Sequence, residues 1–334
     1  MRCVPFYGKI MKRKEKVSFF ITLVVTTLLL AAVFTAAIIG SLTERSALSV
    51  IGEAGLDVFM TGHTHVPPEK TDRKIEKRRR KNADYSVPDI CKKLYSFRTE
   101  KFDGNEVCYF GEETEKKVIY FHGGSFMWQP LMVHFAYCER LSKELNMQVI
   151  MPVYPKAPEY KYDYVLEWLY DYYVTLDGEF YFVGDSAGGG ILLSFSQFLA
   201  DRKVDGAKKL IAISPVLDIA LTNPEIDEYA PLDPMLNKAD LARKMATYSG
   251  DCDVKSPYVS PLYCDYSKLG EVTIITGTHD ILYPDTKLLD EKLTSENIKH
   301  NYWVYKYQTH VFAIYPMPER TVVLNRIKKI IFAE

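Results

Sequence analysis

The stretch from Phe180 to Ala200 constrains this chain more than any other. Phe180–Val183 is a short, wholly apolar run of strand-forming residues. Gly184-Asp185-Ser186-Ala187-Gly188 follows at once, and a helical pattern runs from Ala187 to Ala200. No connecting loop separates strand from helix, so the chain must turn sharply at Ser186. A turn that tight forces its central residue into an unfavourable backbone conformation and needs small neighbours. Gly184, Gly188 and Gly189 provide the room. The helix N-terminus then points its free N–H groups at the serine, where negative charge can be met.

The rest of the C-terminal two-thirds repeats the same alternation. Strands are expected at Lys117–Phe121, Gln148–Tyr154, Leu210–Ile213, Val272–Thr276 and Asn301–Tyr305, besides Phe180–Val183. Helices are expected at Leu131–Leu145, Tyr164–Val174, Ala187–Ala200 and Pro318–Phe332. Strands alternating with helices predict an α/β fold with a mostly parallel central sheet covered by helices on both faces. The alternation fails between Asp218 and Gly270, a proline-containing insertion expected to form a helical cap over a site.

In this frame Ser186 is the expected nucleophile. Its base should be a histidine: His310 follows the final strand, and His279 and His300 are its rivals. The orienting acid should follow a strand lying between serine and histidine in the chain. Asp280 is the first carboxylate after Val272–Thr276, and Asp285, which could simply cap a helix, is the fallback. The order Ser186, Asp280, His310 is one of those compatible with acyl-transfer chemistry. His122-Gly123-Gly124-Ser125 ends an earlier strand, and glycines there let backbone N–H groups approach an oxyanion. Gly123, Gly124 and Ala187 are the expected donors. His122 is expected to hold the loop, with Gly184, Asp185 and Gly188 supporting the turn.

From about residue 90 to the end, these motifs resemble the hormone-sensitive-lipase branch of the α/β-hydrolase serine esterases, including bacterial acetyl-esterase-like members. The resemblance is carried by His122-Gly123-Gly124, Tyr154 with Ala157-Pro158-Glu159, Gly184 through Gly189, Asp280, and His310-Val311-Phe312. It implies hydrolysis of short or medium acyl esters through an acyl-enzyme, without a cofactor, and a cap built from N-terminal residues and the 218–270 insertion. Ser125 stands where the family often has a third glycine. A peptidase, amidase or thioesterase of the same fold remains a rival, as does a non-catalytic, membrane-tethered binding module.

Val17–Ile39 carries no charge and is long enough, at about 1.5 Å per residue, to cross a hydrocarbon core of about 30 Å. Lys9, Lys12, Arg13, Lys14 and Lys16 precede it, which places the N-terminus in the cytoplasm and the remainder outside. A secreted protein left by signal cleavage near Ala36–Ser41 is the alternative. The expected organisation is a basic tail (1–16), a transmembrane helix or signal anchor (17–39), a linker and N-terminal cap region (40–89), and a hydrolase domain (90–334). The basic run from Lys70 to Lys81 is read as a solvated helix surface, since Glu69, Asp72 and Glu76 interrupt it. The formal net charge of −1 gives no reason to expect a nucleic-acid partner. His63 and His65 lack a third ligand at metal spacing, so no metal site is expected. No two of the six cysteines form a C-x-x-C pair. Most are expected to be free, with Cys252–Cys264 and Cys91–Cys108 as the conceivable bridges.

Overall fold

The computed structural model describes residues 13–60, 65–83 and 85–333. Cys3, His63 and most of the basic tail lie outside them. The described residues begin with α1 (Arg13–Thr43), α2 (Ala47–Phe59) and α3 (Pro68–Ala83), then a short α4 (Asp89–Leu94). A hairpin follows, β1 (Arg98–Phe102) and β2 (Asn105–Phe110), and then β3 (Lys116–Phe121), α5 (Met132–Leu145), β4 (Gln148–Pro152) and α6 (Tyr162–Tyr173). Next come β5 (Glu179–Asp185), α7 (Ala187–Asp201) and β6 (Lys209–Ile213). The inserted segment holds α8 (Ile226–Tyr229) and α9 (Lys238–Ser249). The chain closes with β7 (Glu271–His279), α10 (Tyr283–Ser295), β8 (His300–Thr309) and α11 (Pro318–Phe332).

The eight strands form one sheet in the order β1-β2-β4-β3-β5-β6-β7-β8. The six strands from β4 to β8 in that order are parallel, and only the β1–β2 and β2–β4 pairings are antiparallel. The hairpin lies outside the expected strands: Arg98, Glu100 and Lys101 leave β1 exposed and charged at the sheet edge, without an apolar run, while β2 is buried over Val107–Phe110. The central strands are apolar on both faces because helices cover both. Ile119, Phe121 and Phe182 pack with Ile191, Leu192 and Leu289 of α7 and α10. Val118, Tyr120 and Val183 pack with Phe135, Leu141 and Ile327 of α5 and α11.

Register then decides what meets at the carboxyl edge. Phe121 pairs with Gly184, and Asp185 with Ile213, so the His122-Gly123 turn lies beside Ser186. His279 pairs with Thr309 after an irregularity at Gly277, so Asp280 and His310 leave neighbouring strands side by side.

The region expected as linker and N-terminal cap (40–89) contains α2 and α3. α3 packs on α9 of the insertion, where Thr71 Oγ1 donates to Asp240 Oδ1 at 2.7 Å and Arg243 pairs with Asp72. The described cysteines, Cys91, Cys108, Cys138, Cys252 and Cys264, are all free. Four are buried among apolar side chains as small core residues. Within α1, Phe20–Thr43 spans 24 residues at a mean hydropathy of 2.5 and is mostly exposed.

Candidate active site

Ser186 sits between β5 and α7 at φ 53° and ψ −123°, a conformation that costs an L-residue of order 1–3 kcal/mol. Its N–H donates to Ile213 O at 2.8 Å, and its own carbonyl accepts from Gly190 N and Val216 N, both at 3.1 Å. Glycine is required at 188 because a Cβ there would run into the carbonyls of Phe121 and His122. α7 therefore begins in direct contact with the turn that carries Gly123.

The Ser186 hydroxyl donates to His310 Nε2 at 2.9 Å, and His310 Nδ1–H donates to Asp280 Oδ2 at 3.0 Å. Asp280 Oδ1 accepts from Leu282 N at 2.9 Å, which fixes the carboxylate plane. Val311 N donates to Ser214 Oγ at 3.1 Å and pins the loop that presents the imidazole. Burial pushes the His310 pKa down, but the Asp280 carboxylate, together with Asp233 and Asp185, raises it, and the net shift is upward.

The rival histidines are occupied elsewhere. His279 pairs with Glu53 of α2. His300 lies at the opposite end of β8, bonded to Asp290 and to Ile298 O, each at 2.8 Å. Asp285 lies in the first turn of α10 beside Asn223 and Asp218, with neither oxygen in hydrogen-bonding geometry with a described residue. Burial raises its pKa to about 7. It does not cap the helix and does not meet His310.

The glycine turn needs one correction. Gly123 N–H donates to Asp185 Oδ1 at 2.9 Å, so it is already spent and is not free for an oxyanion. Asp185 also accepts from Tyr120 OH at 2.6 Å and faces His134 Nε2 at 3.4 Å. Leu131 N donates to His134 Nδ1 at 2.8 Å, which puts the His134 proton on Nε2, toward Asp185. Burial alone would raise the Asp185 pKa, but His134, Tyr120 and the Gly123 N–H hold it below the usual value. Asp185 is thus a buried anion that locks the turn. Among the described residues, no acceptor takes the N–H of Gly124, Ser125 or Ala187. Gly124 has φ 127°, and Ser125 and Phe126 follow at 50° and 63°.

His122 is bonded into the turn. Its Nδ1–H donates to Gly123 O at 2.7 Å, its ring stacks on Tyr154, and Tyr154 OH donates to His122 O at 2.5 Å.

Sequence reasoning missed Asp233. It is fully buried in the insertion, accepting from Ile281 N at 2.9 Å and from Met235 N and Leu236 N at 2.7 and 3.0 Å. It braces the turn after Asp280, and burial beside that carboxylate raises its pKa to about 6. An Asp-Pro pair in a proline-rich insertion reads only as a turn, so no signal marked it.

A protein-family profile described as an alpha/beta hydrolase fold matches residues 118–314. The chain belongs to this family. Within the alpha/beta hydrolases, it is 29% identical over 195 residues to an esterase of Acinetobacter venetianus, covering 56% of this chain and 64% of that protein. It is 25% identical over 182 residues to an acetyl-hydrolase of Streptomyces hygroscopicus, covering 53% and 61%. The chain thus spans less than two thirds of these curated relatives. A Staphylococcus aureus protein solved as a candidate esterase superposes with a TM-score of 0.76 at 25% identity, over 81% of this chain and 95% of that one. A solved esterase of the bacterial hormone-sensitive lipase family shares the fold at a TM-score of 0.69 and 20% identity, over 83% and 96%.

Proposed function

We propose that this alpha/beta hydrolase is a serine carboxylic-ester hydrolase acting on short or medium acyl esters. The observation that carries the reading is the double hydrogen bond of one buried imidazole, His310, to Ser186 Oγ on one side and Asp280 Oδ2 on the other. In the reaction His310 Nε2 takes the Ser186 proton while Oγ attacks the ester carbonyl. Asp280 keeps the imidazole in the required tautomer and stabilises the imidazolium. The N–H groups of Gly124 and Ala187, joined by Ser125 in place of Gly123, receive the oxyanion. The imidazolium returns its proton to the departing alcohol. Water, deprotonated by the same nitrogen, then releases the acid and frees Ser186.

The esterase and acetyl-hydrolase names of the relatives support an ester as substrate. Labelling with a fluorophosphonate probe tests the reading. The wild-type protein is expected to react and Ser186→Ala to remain unlabelled; equal labelling of both would overturn it.

In this reading α3 and the 218–270 insertion form a cap over the site. α1 is an uncleaved anchor with its basic end in the cytoplasm and the hydrolase domain outside. Retention of the full chain in membranes after a carbonate wash is expected; release would favour cleavage or a peripheral association.

A further inference from the structure

α2 turns its apolar side away from the protein. Toward the domain it presents polar groups: Ser49 Oγ donates to Gln308 Oε1 at 2.9 Å, and Glu53 pairs with both Arg45, at 2.6 Å, and His279. At its start, Ser46 N and Oγ donate to Glu319 at 2.7 and 2.9 Å. The outward side carries Ile51, Val58 and Phe59, exposed by 41, 76 and 85%, with Leu48, 56% exposed, at its border with the domain. These positions recur at helical spacing, so they form one stripe. A helix folded against a protein in water has the opposite polarity.

The stripe is continuous with another surface of the same kind. Only Glu44, Arg45 and Ser46 separate α2 from α1, a link that spans at most about 10 Å. α1 is itself exposed and apolar over Phe20–Thr43. If α1 crosses a bilayer, the first turn of α2 lies at the boundary between head groups and acyl chains. An interfacial helix buries its apolar face there by about 5–10 Å.

We propose that the outer face of α2 is seated in the lipid bilayer, with its polar face clamping the catalytic domain. The inference rests on α1 being a membrane anchor. It fixes orientation as well as attachment. Arg45, just before α2, holds Tyr307 O, and α2 itself holds Gln308 and His279, which lie within three residues of His310 and beside Asp280. The sheet edge carrying those two groups then lies about one helix diameter, 10–12 Å, from the lipid. An apolar cavity of about 260 Å³ between α2 and the loop after His310 is lined by Leu48, Leu56, Tyr315, Pro316 and Met317, among others. Together these features favour an ester whose acyl or alcohol part dissolves in the bilayer over a freely water-soluble one.

The test uses the full chain in phosphatidylcholine vesicles. The added emission of Phe59→Trp should be quenched by lipid brominated high on its acyl chains and shielded from aqueous acrylamide. Quenching by acrylamide alone, in protein that survives a carbonate wash, would overturn the seating of α2 while leaving the anchor intact. Loss of the protein in the wash would remove the anchor and this inference with it. Cross-linking of two chains through position 59, without lipid quenching, would assign the stripe to a second copy instead. In a second arm, Ile51→Asp with Phe59→Asp should slow hydrolysis of a vesicle-borne long-chain ester about tenfold and leave a water-soluble short ester unaffected. Equal rates on both would count against the membrane route for substrate.

Discussion

Asp280→Asn is the change that best separates the proposed triad from its rivals. The carboxylate lies 3.0 Å from His310 Nδ1, inside the protein. At that separation and an effective dielectric constant near 20, attraction to an imidazolium is about 5 kcal/mol. If that attraction develops only as His310 takes the proton, its loss slows the reaction by about 10⁴-fold. Asparagine preserves size and can still hydrogen-bond, so the fold should survive. The pH profile moves as well. His310 must be neutral to act as a base, and its pKa stands above the ordinary value because of Asp280, against the opposing effect of burial. Wild-type kcat/KM should therefore rise with pH through a midpoint above that of free histidine. In Asp280→Asn the residual activity should persist to lower pH, because the charge favouring the imidazolium is gone. Stopped-flow hydrolysis of a p-nitrophenyl ester between pH 5 and 9 measures both effects. A loss of less than about tenfold, with a larger loss in Asp285→Asn, would refute the assignment.

Gly124→Ala should lower kcat by about 10²–10³-fold, because φ 127° suits glycine and a Cβ would sit 2.8 Å from Trp128 O; active-site titration keeps lost turnover apart from lost protein. Asp185→Ala strands the Gly123 N–H, Tyr120 OH and His134 Nε2 in a buried site, which should cost about 3–5 kcal/mol by urea unfolding. Asp285→Asn should stabilise the protein in alkaline but not in acid solution. The unfolded carboxyl ionises near its ordinary value of 3.8 while the folded one holds its proton to about 7, so stability drains away between those pH values. Unfolding free energies from urea titration should coincide near pH 4 and diverge by at most about 4 kcal/mol at pH 8; equal values at both would refute the strained carboxyl.

The readable parts of this molecule were those where one local pattern had one outcome. β5 and α7 follow from an apolar run, a glycine-flanked serine and a helical pattern. Asp280 and His310 could be chosen because each is the first suitable group after a strand, and register then pairs His279 with Thr309. What stayed hidden depended on contacts distant in sequence. Gly123 looks like any glycine at a strand end, and only Asp185, remote in the chain, takes its N–H. Asp233 reads as a turn residue until the fold sets it beneath Ile281. α2 carries no motif or strand–helix pattern that marks it, and its polar face is the one the protein covers.

Several of the unusual backbone conformations lie at the same edge as these hidden contacts. Ser186, Gly124, Ser125, Phe126 and Val311 all have positive φ, although four of them carry side chains that disfavour it. Each is over-determined by neighbours: Ser186 by Ile213 and Val216, the Gly124–Phe126 turn by Trp128 N, Met127 N and Ala157 N, and Val311 by Ser214. Such bonding is what strain at a reactive site requires, since a turn free to relax would carry Ser186 Oγ away from His310. The hold of Arg45 on Tyr307 and of α2 on Gln308 extends that bracing to the segment where the pairing of β8 with β7 is irregular. On this account the N-terminal helices contribute to the geometry of the site as well as to its location, and loosening Glu53 should disturb His310 before it disturbs the sheet.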